Sequence, residues 1–186
     1  MARPRSEQAR QKMLDAAADL LLEHGVRGVS IDAVAKRSGV AKTTIYRHFS
    51  SKNELLVAAL DGRMPVPEMP DTGTFRSDLI ALYRDVIPIF QSAELRALFL
   101  DVMAVSARDP ELASLQGAMM ADRFAVVQTI VGRGIERGEL PGDLDFGTMI
   151  DVIEGPLILR SLRDPKSLAD LDLEALADTA ITKLNA

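Results

Sequence analysis

Cysteine is absent from this 186-residue chain, which excludes disulfides, thiolate metal sites and cysteine nucleophiles. Histidine is scarce: only His24 and His48 occur, and neither stands at metal-ligand spacing from a second ligand. No GxSxG elbow, phosphate loop or dinucleotide fingerprint is present. The pairs Asp143-x-Asp145 and Asp170-x-Asp172 lie beside expected helix starts, where capping accounts for them. An enzyme is therefore not expected, and neither is a metal or other cofactor. No apolar run approaches the roughly 18–20 residues that a membrane span needs. The basic start, MARPRSEQARQK, leads into charged amphipathic sequence rather than a signal-peptide core. A folded protein of the cytoplasm with no membrane association is the expectation, given an apolar share of 47%.

A basic excess is also lacking, since the net charge is −5. The charge is unevenly distributed, however. Residues 1–63 carry 11 Lys/Arg against 7 Asp/Glu, a net +4, while residues 64–186 carry 11 against 20, a net −9. A positive module on a negative body suits nucleic-acid binding through one end alone. Ordinary solvated charge accounts for the same numbers, so the asymmetry only suggests a partner.

What the first 63 residues do contain is a run of short helical patterns. Residues 6–24 have apolar positions at three- and four-residue steps (Met13, Leu14, Ala17, Leu20, Leu21), with Ser6 as N-cap and Gly25 as the left-handed end. Val26 to Val29 is a connection. Ser30 caps a second helix with Asp32 in its first turn and Ile31, Val34 and Ala35 as its inner stripe. Gly39 permits the sharp turn of a helix-turn-helix. A third helix, 41–48, turns Ile45 and Phe49 inward. At about 100° per residue, Thr43, Tyr46 and Arg47 then share another arc, with Lys42 at its edge. Ser51 caps a fourth helix, 52–62, whose Leu55, Leu56 and Ala59 pack back on the module.

Residues 30–56, SIDAVAKRSGVAKTTIYRHFSSKNELL, resemble the signature of the TetR family of bacterial transcriptional repressors. The matching pieces are the Ala35 helix, Gly39-Val40, Thr44-Ile45-Tyr46, His48-Phe49, Ser51-Lys52 and Leu55-Leu56. The upstream LLLEHGVRGVSID resembles the family's first helix and loop, so the likeness covers residues 10–60. It implies a DNA-contacting set of Ser30, Lys42, Thr43, Thr44, Tyr46, Arg47, His48 and Lys52. Lys42 and Thr43 would open the recognition helix in the major groove. Tyr46 and His48 would touch or flank the backbone. Lys52 and Ser30, at helix starts, would meet phosphates. Arg47 holds a variable position and is the candidate for reading a base, since Arg pairs bidentately with guanine. Thr43 departs from the family, which often has glycine there. Other readings stay open: Tyr46 as a core aromatic, His48 as a favourable charge at a helix end, and Arg3 and Arg5 as either a DNA-seeking arm or plain surface charge.

Pro65, Pro67, Pro70 and Gly73 mark a loop at 64–73 and divide the chain into a DNA-binding domain, 1–63, and a regulatory and dimerisation domain, 64–186. Helical patterns follow at 75–92, 94–107, 110–137, 144–163 and 173–185, so the fold class is all-α, with no competing strand pattern. Asp109-Pro110 and Asp172 are start signals, and Gly138, Pro141 and Gly142 close the long helix. Pro88 and Pro156 fall inside expected helices and should kink or divide them. Helices 144–163 and 173–185 have generous apolar faces. The resemblance implies that these pair with their copies as a four-helix bundle in a homodimer, suited to a palindromic operator in double-stranded DNA. Burial within one chain is the alternative.

The resemblance further implies a small-molecule effector that shifts the DNA-reading heads. Candidate lining residues are Tyr83, Ile87, Phe90, Phe99, Met103, Met119, Phe124 and Val127, each of which also fits an ordinary core position. Asp101 and Arg123 are polar residues of the same region, equally suited to surface positions or salt bridges. The expected function is a dimeric repressor released from its operator by a small apolar or amphipathic ligand. The rival is an architectural or division-linked DNA binder of the same fold with no inducer.

Overall fold

The computed structural model describes residues 3–164 and 168–186, with side chains from Ser6 onward. The described residues are helices and their connections, with no strand among them. The side chains of Arg3 and Arg5 lie outside the described ones. Two compact units form: Met1–Pro65 with Ala97–Met119, and Val66–Arg96 with Met120–Ala186. The first unit therefore contains more than the segment ahead of the Pro-rich loop.

In the first unit, α1 (Arg3–Gly28), α2 (Ile31–Ser38), α3 (Lys42–His48) and α4 (Lys52–Asp61) follow one another. Met13, Ala17, Leu20 and Leu21 of α1 are buried, as are Val34, Ile45, Phe49, Leu55, Leu56 and Leu60. The helix starts are held as their capping residues dictate. Ser30 Oγ accepts from the Ala33 N–H at 3.1 Å, and Ser51 Oγ from the Glu54 N–H at 3.1 Å. Glu54 reaches back to the Ser50 hydroxyl and N–H, and these donors hold its carboxyl below the usual range. Gly39 takes φ 69° and donates its N–H to the Ala35 carbonyl at 3.1 Å, ending α2 sharply.

Gly25 has φ 67°, as a left-handed helix end requires, yet the chain resumes one more helical turn to Gly28. The connection expected at Val26–Val29 is therefore mostly helix. Residues 97–106 of α6 (Ala93–Ser106) and 110–119 of α7 (Pro110–Glu136) belong to the same unit. Asp101 of α6 accepts from the Val26 N–H at 2.5 Å. The buried Asn53 amide donates to Asp109 at 3.1 Å and to Glu111 at 2.8 Å. Asp109 also caps α7 through the Leu112 N–H; that bond, then Asn53, keeps its pKa low.

The second unit holds α5 (Phe75–Gln91), the rest of α6 and α7, α8 (Phe146–Ile153), α9 (Gly155–Arg163) and α10 (Leu173–Leu184). Thr74, Asp145 and Asp172 cap α5, α8 and α10. Phe75, Leu79, Tyr83, Ile130, Ile153 and Leu157 form its fully buried centre. Of the two internal prolines, Pro156 sits in the first turn of α9, where the expected single helix is divided at Glu154. Pro88 leaves α5 unbroken. It stands in the last turn, where only one intrahelical bond is lost. The apolar face of α10 (Leu176, Ala177, Ala180, Leu184) is buried in its own unit, whereas α9 exposes Leu159 at 55% and Leu162 at 54%.

Candidate nucleic-acid interface

Helix α3 is anchored by Ile45 and Phe49, both buried, so its opposite arc faces outward. Lys42, Thr43 and Arg47 are exposed, and Thr44 and His48 are half-buried. Tyr46 is 57% exposed, which rules out the reading of it as a core aromatic. One short helix thus presents a cation, two hydroxyls, a phenol and a guanidinium, the donor set that meets base edges and phosphates. Phosphate-seeking groups stand at its flanks. Ser30 is exposed at the start of α2; its oxygen accepts from Ala33 while its O–H is still able to donate. Lys52 is half-buried as the first residue of α4.

Four cross-helix contacts in this unit were not legible in the sequence. Lys42 Nζ lies 2.5 Å from Asp32 of α2, an exposed ion pair joining the first turns of α2 and α3. The His48 ring reaches Ser6 Oγ at 3.4 Å, tying the end of α3 to the start of α1. The Arg10 guanidinium lies 5.9 Å from the centroid of the Phe49 ring, within cation–π range. Arg37 meets Glu23 through two bonds of 2.8 and 2.7 Å, and Glu23 is correspondingly pulled below the ordinary carboxylate range. Each of these pairs spans residues far apart in sequence, so no local pattern announces it.

The residues expected around a ligand are distributed over both units. Tyr83, Ile87, Phe90, Phe124 and Val127 belong to the second, and Phe99, Met103 and Met119 to the first. Met103 is 43% exposed, Phe124 is half-buried and meets Phe146 edge-on at 5.6 Å, and the other six are buried. The Tyr83 hydroxyl donates to the Ile153 carbonyl at 3.2 Å; burial, then the Glu154 charge, raise its pKa. Asp101 is occupied by the Val26 N–H, while Arg123 is buried. Sequence reasoning missed Glu154, whose carboxyl is pushed up to about 7 by burial.

Comparison with known proteins bears on both parts of the chain. Residues 13–59 match the family described as "Bacterial regulatory proteins, tetR family", and residues 69–180 match "Tetracyclin repressor-like, C-terminal domain". The chain is 33% identical over 166 residues to the uncharacterized HTH-type transcriptional regulator YdeS of Bacillus subtilis, covering 86% of this chain and 81% of that one. Among solved structures it resembles Salmonella enterica GusR, with a TM-score of 0.76 at 19% identity over all of both chains. It also resembles the transcriptional regulator FadR from Bacillus subtilis, solved in complex with stearoyl-CoA, with a TM-score of 0.66 at 20% identity over 95% of this chain and 97% of that one.

Proposed function

The chain belongs to the TetR family of bacterial transcriptional regulators, and from that premise we propose that it is a cytoplasmic, homodimeric repressor that leaves a palindromic operator when a small molecule binds. The family consists of DNA-binding regulators, not enzymes. The observation that carries the reading is the outward arc of α3, where Lys42, Thr43, Tyr46 and Arg47 are exposed above a buried Ile45–Phe49 anchor. Ser30, Thr44, His48 and Lys52 complete the contact set, with Arg47 as the base reader. Two such heads related by a two-fold axis match a palindrome. The exposed Leu159 and Leu162 of α9 support a partner copy there, because each is more than half open to water in one chain.

A small-molecule effector is supported by the family and by the FadR structure with its bound acyl-CoA, which concerns that protein. For this chain the proposed lining within the second unit is Tyr83, Ile87, Phe90, Phe124 and Val127; the other candidates, Phe99, Met103 and Met119, belong to the first. No observation favours an inducer-free architectural role.

The reading is tested by selecting bound sequences from a random DNA pool and then replacing Arg47 with Ala. A two-fold symmetric site is expected. Arg47→Ala should cost about 1–3 kcal/mol and relax preference at one position of each half-site. An equal loss on all sequences would make Arg47 a phosphate contact, and no enriched sequence at all would overturn the operator reading.

A further inference from the structure

The inner face of α1 continues past its last buried residue. Met13 and Ala17 are fully buried. Arg10 and Ser6 precede them at steps of three and four, so they lie along the same face. Ser6 is exposed and Arg10 half-buried. Both reach the end of α3. Ser6 Oγ lies 3.4 Å from His48 Nε2, and the Arg10 guanidinium lies 5.9 Å from the centroid of the Phe49 ring. Phe49 is only 3% exposed, and its ring centroid is 6.3 Å from that of His48. Arg10 thus covers Phe49 at the edge where α1 meets the His48 end of α3.

The cations of the first unit differ in what holds them. Arg37 is paired with Glu23, and Arg63 with Asp19 at 3.6 Å, so a protein carboxylate offsets each charge. Among the described residues Arg10 makes no ion pair. Asp15 of the same helix accepts from the Gln11 amide at 3.0 Å instead. An aromatic ring orients a guanidinium through its quadrupole but carries no net charge, so the positive charge stays uncancelled. Orientation without neutralisation suits a phosphate contact. The planar donor fork is ordered in advance, and what a phosphate displaces from it is a salt ion.

We infer that Arg10 binds a DNA phosphate, held by Phe49 at the α1 edge of the interface beside His48. It lies outside residues 13–59, the segment that matches the TetR family, and outside the contact set proposed above. The inference rests on the DNA-binding reading and adds one residue to its phosphate edge.

Arg10→Met tests it on the full-length protein, because methionine can still cover Phe49 without the charge. Affinity is measured for the selected operator and for an unrelated duplex between about 50 and 300 mM KCl. On both duplexes the slope of log affinity against log salt should become shallower by about one. At the lowest salt both should bind about five- to tenfold more weakly, by the same factor, since a phosphate contact carries no sequence information. Arg10→Lys, which keeps the charge, should keep the parental slope. An unchanged slope in Arg10→Met, or a loss confined to the operator, would overturn the inference while parental binding leaves the DNA-binding reading standing. Failure of the parent to bind either duplex would overturn both.

Footprinting the unaltered protein with phenylglyoxal, an arginine-specific reagent, decides even if the variant folds poorly. Arg10 should react in the free protein and be shielded by either duplex, while Arg84, exposed in the second unit, stays reactive throughout. Reactivity of Arg10 that DNA leaves unchanged would also overturn the inference.

Discussion

Helix α1 and the α8–α9 pair are each interrupted once, and a carboxylate stands at each interruption. In the first unit Gly25 turns the chain with φ 67° and ψ 178°, and Asp101 accepts from the Val26 N–H just beyond it. In the second unit the break falls at Glu154, ahead of Gly155 and Pro156, and the carboxylate there accepts from nothing among the described residues. A carboxylate with a backbone donor fixes a joint, because breaking the bond would strand a buried N–H. A carboxylate without one is destabilising in its ionised form wherever burial removes it from water. The same chemical group therefore holds the joint at one break and, once ionised, is a cost to folding at the other.

The strongest way to break the comparison is Gly25→Ala. This φ/ψ region is essentially restricted to glycine, and an added Cβ would lie 2.8 Å from Asp101 Oδ2. Strain and the loss of the Val26 bond together should cost about 3–5 kcal/mol in denaturant unfolding. A cost below about 1 kcal/mol would show that the joint is not held as described.

Next in size is Glu154→Gln, with the opposite sign. The folded-state pKa of Glu154, about 7, lies above its ordinary 4.5, so the folded chain binds more protons across that interval. Stability is accordingly highest below the unfolded pKa and falls as pH rises through the folded one. The glutamine variant lacks that loss. It should match the parent near pH 4 and exceed it by about 2 kcal/mol near pH 8, measured by urea unfolding at both values. A pH-independent difference would mean that Glu154 is not a buried titrating group.

The smallest effect lies among the cations of the first unit. Lys52→Ala should weaken binding to all DNA sequences and lower the slope of log affinity against log salt by about one. An unchanged slope would remove Lys52 from the phosphate contacts.

Local chemistry made much of the fold legible. Ser30, Ser51, Asp109 and Asp172 cap where their side-chain oxygens can reach backbone N–H groups two or three residues on. Gly39 ends α2, and Pro156 divides a helix, for reasons contained in single residues. The outward arc of α3 was legible because the spacing of Ile45 and Phe49 sets which side is buried. The rest depends on residues distant in the chain. Asp101 meets Val26, Asn53 meets Asp109 and Glu111, and Lys42 meets Asp32 across a turn. Glu154 was hidden for a related reason. In a helical pattern it reads as a solvent-facing acid, and only its half-buried position with the distant, buried Tyr83 coupled to it reveals otherwise.

The pair between Lys42 and Asp32 bears on the salt dependence of the proposed DNA binding. In the DNA complex proposed above, Lys42 would arrive already accompanied by its own counterion, so a phosphate would displace Asp32 rather than a mobile salt ion. The displaced carboxylate is then left facing a polyanion. On that reading Asp32 would lower the affinity for operator and non-operator DNA alike, since a phosphate contact carries no sequence information, and would flatten the salt dependence of both.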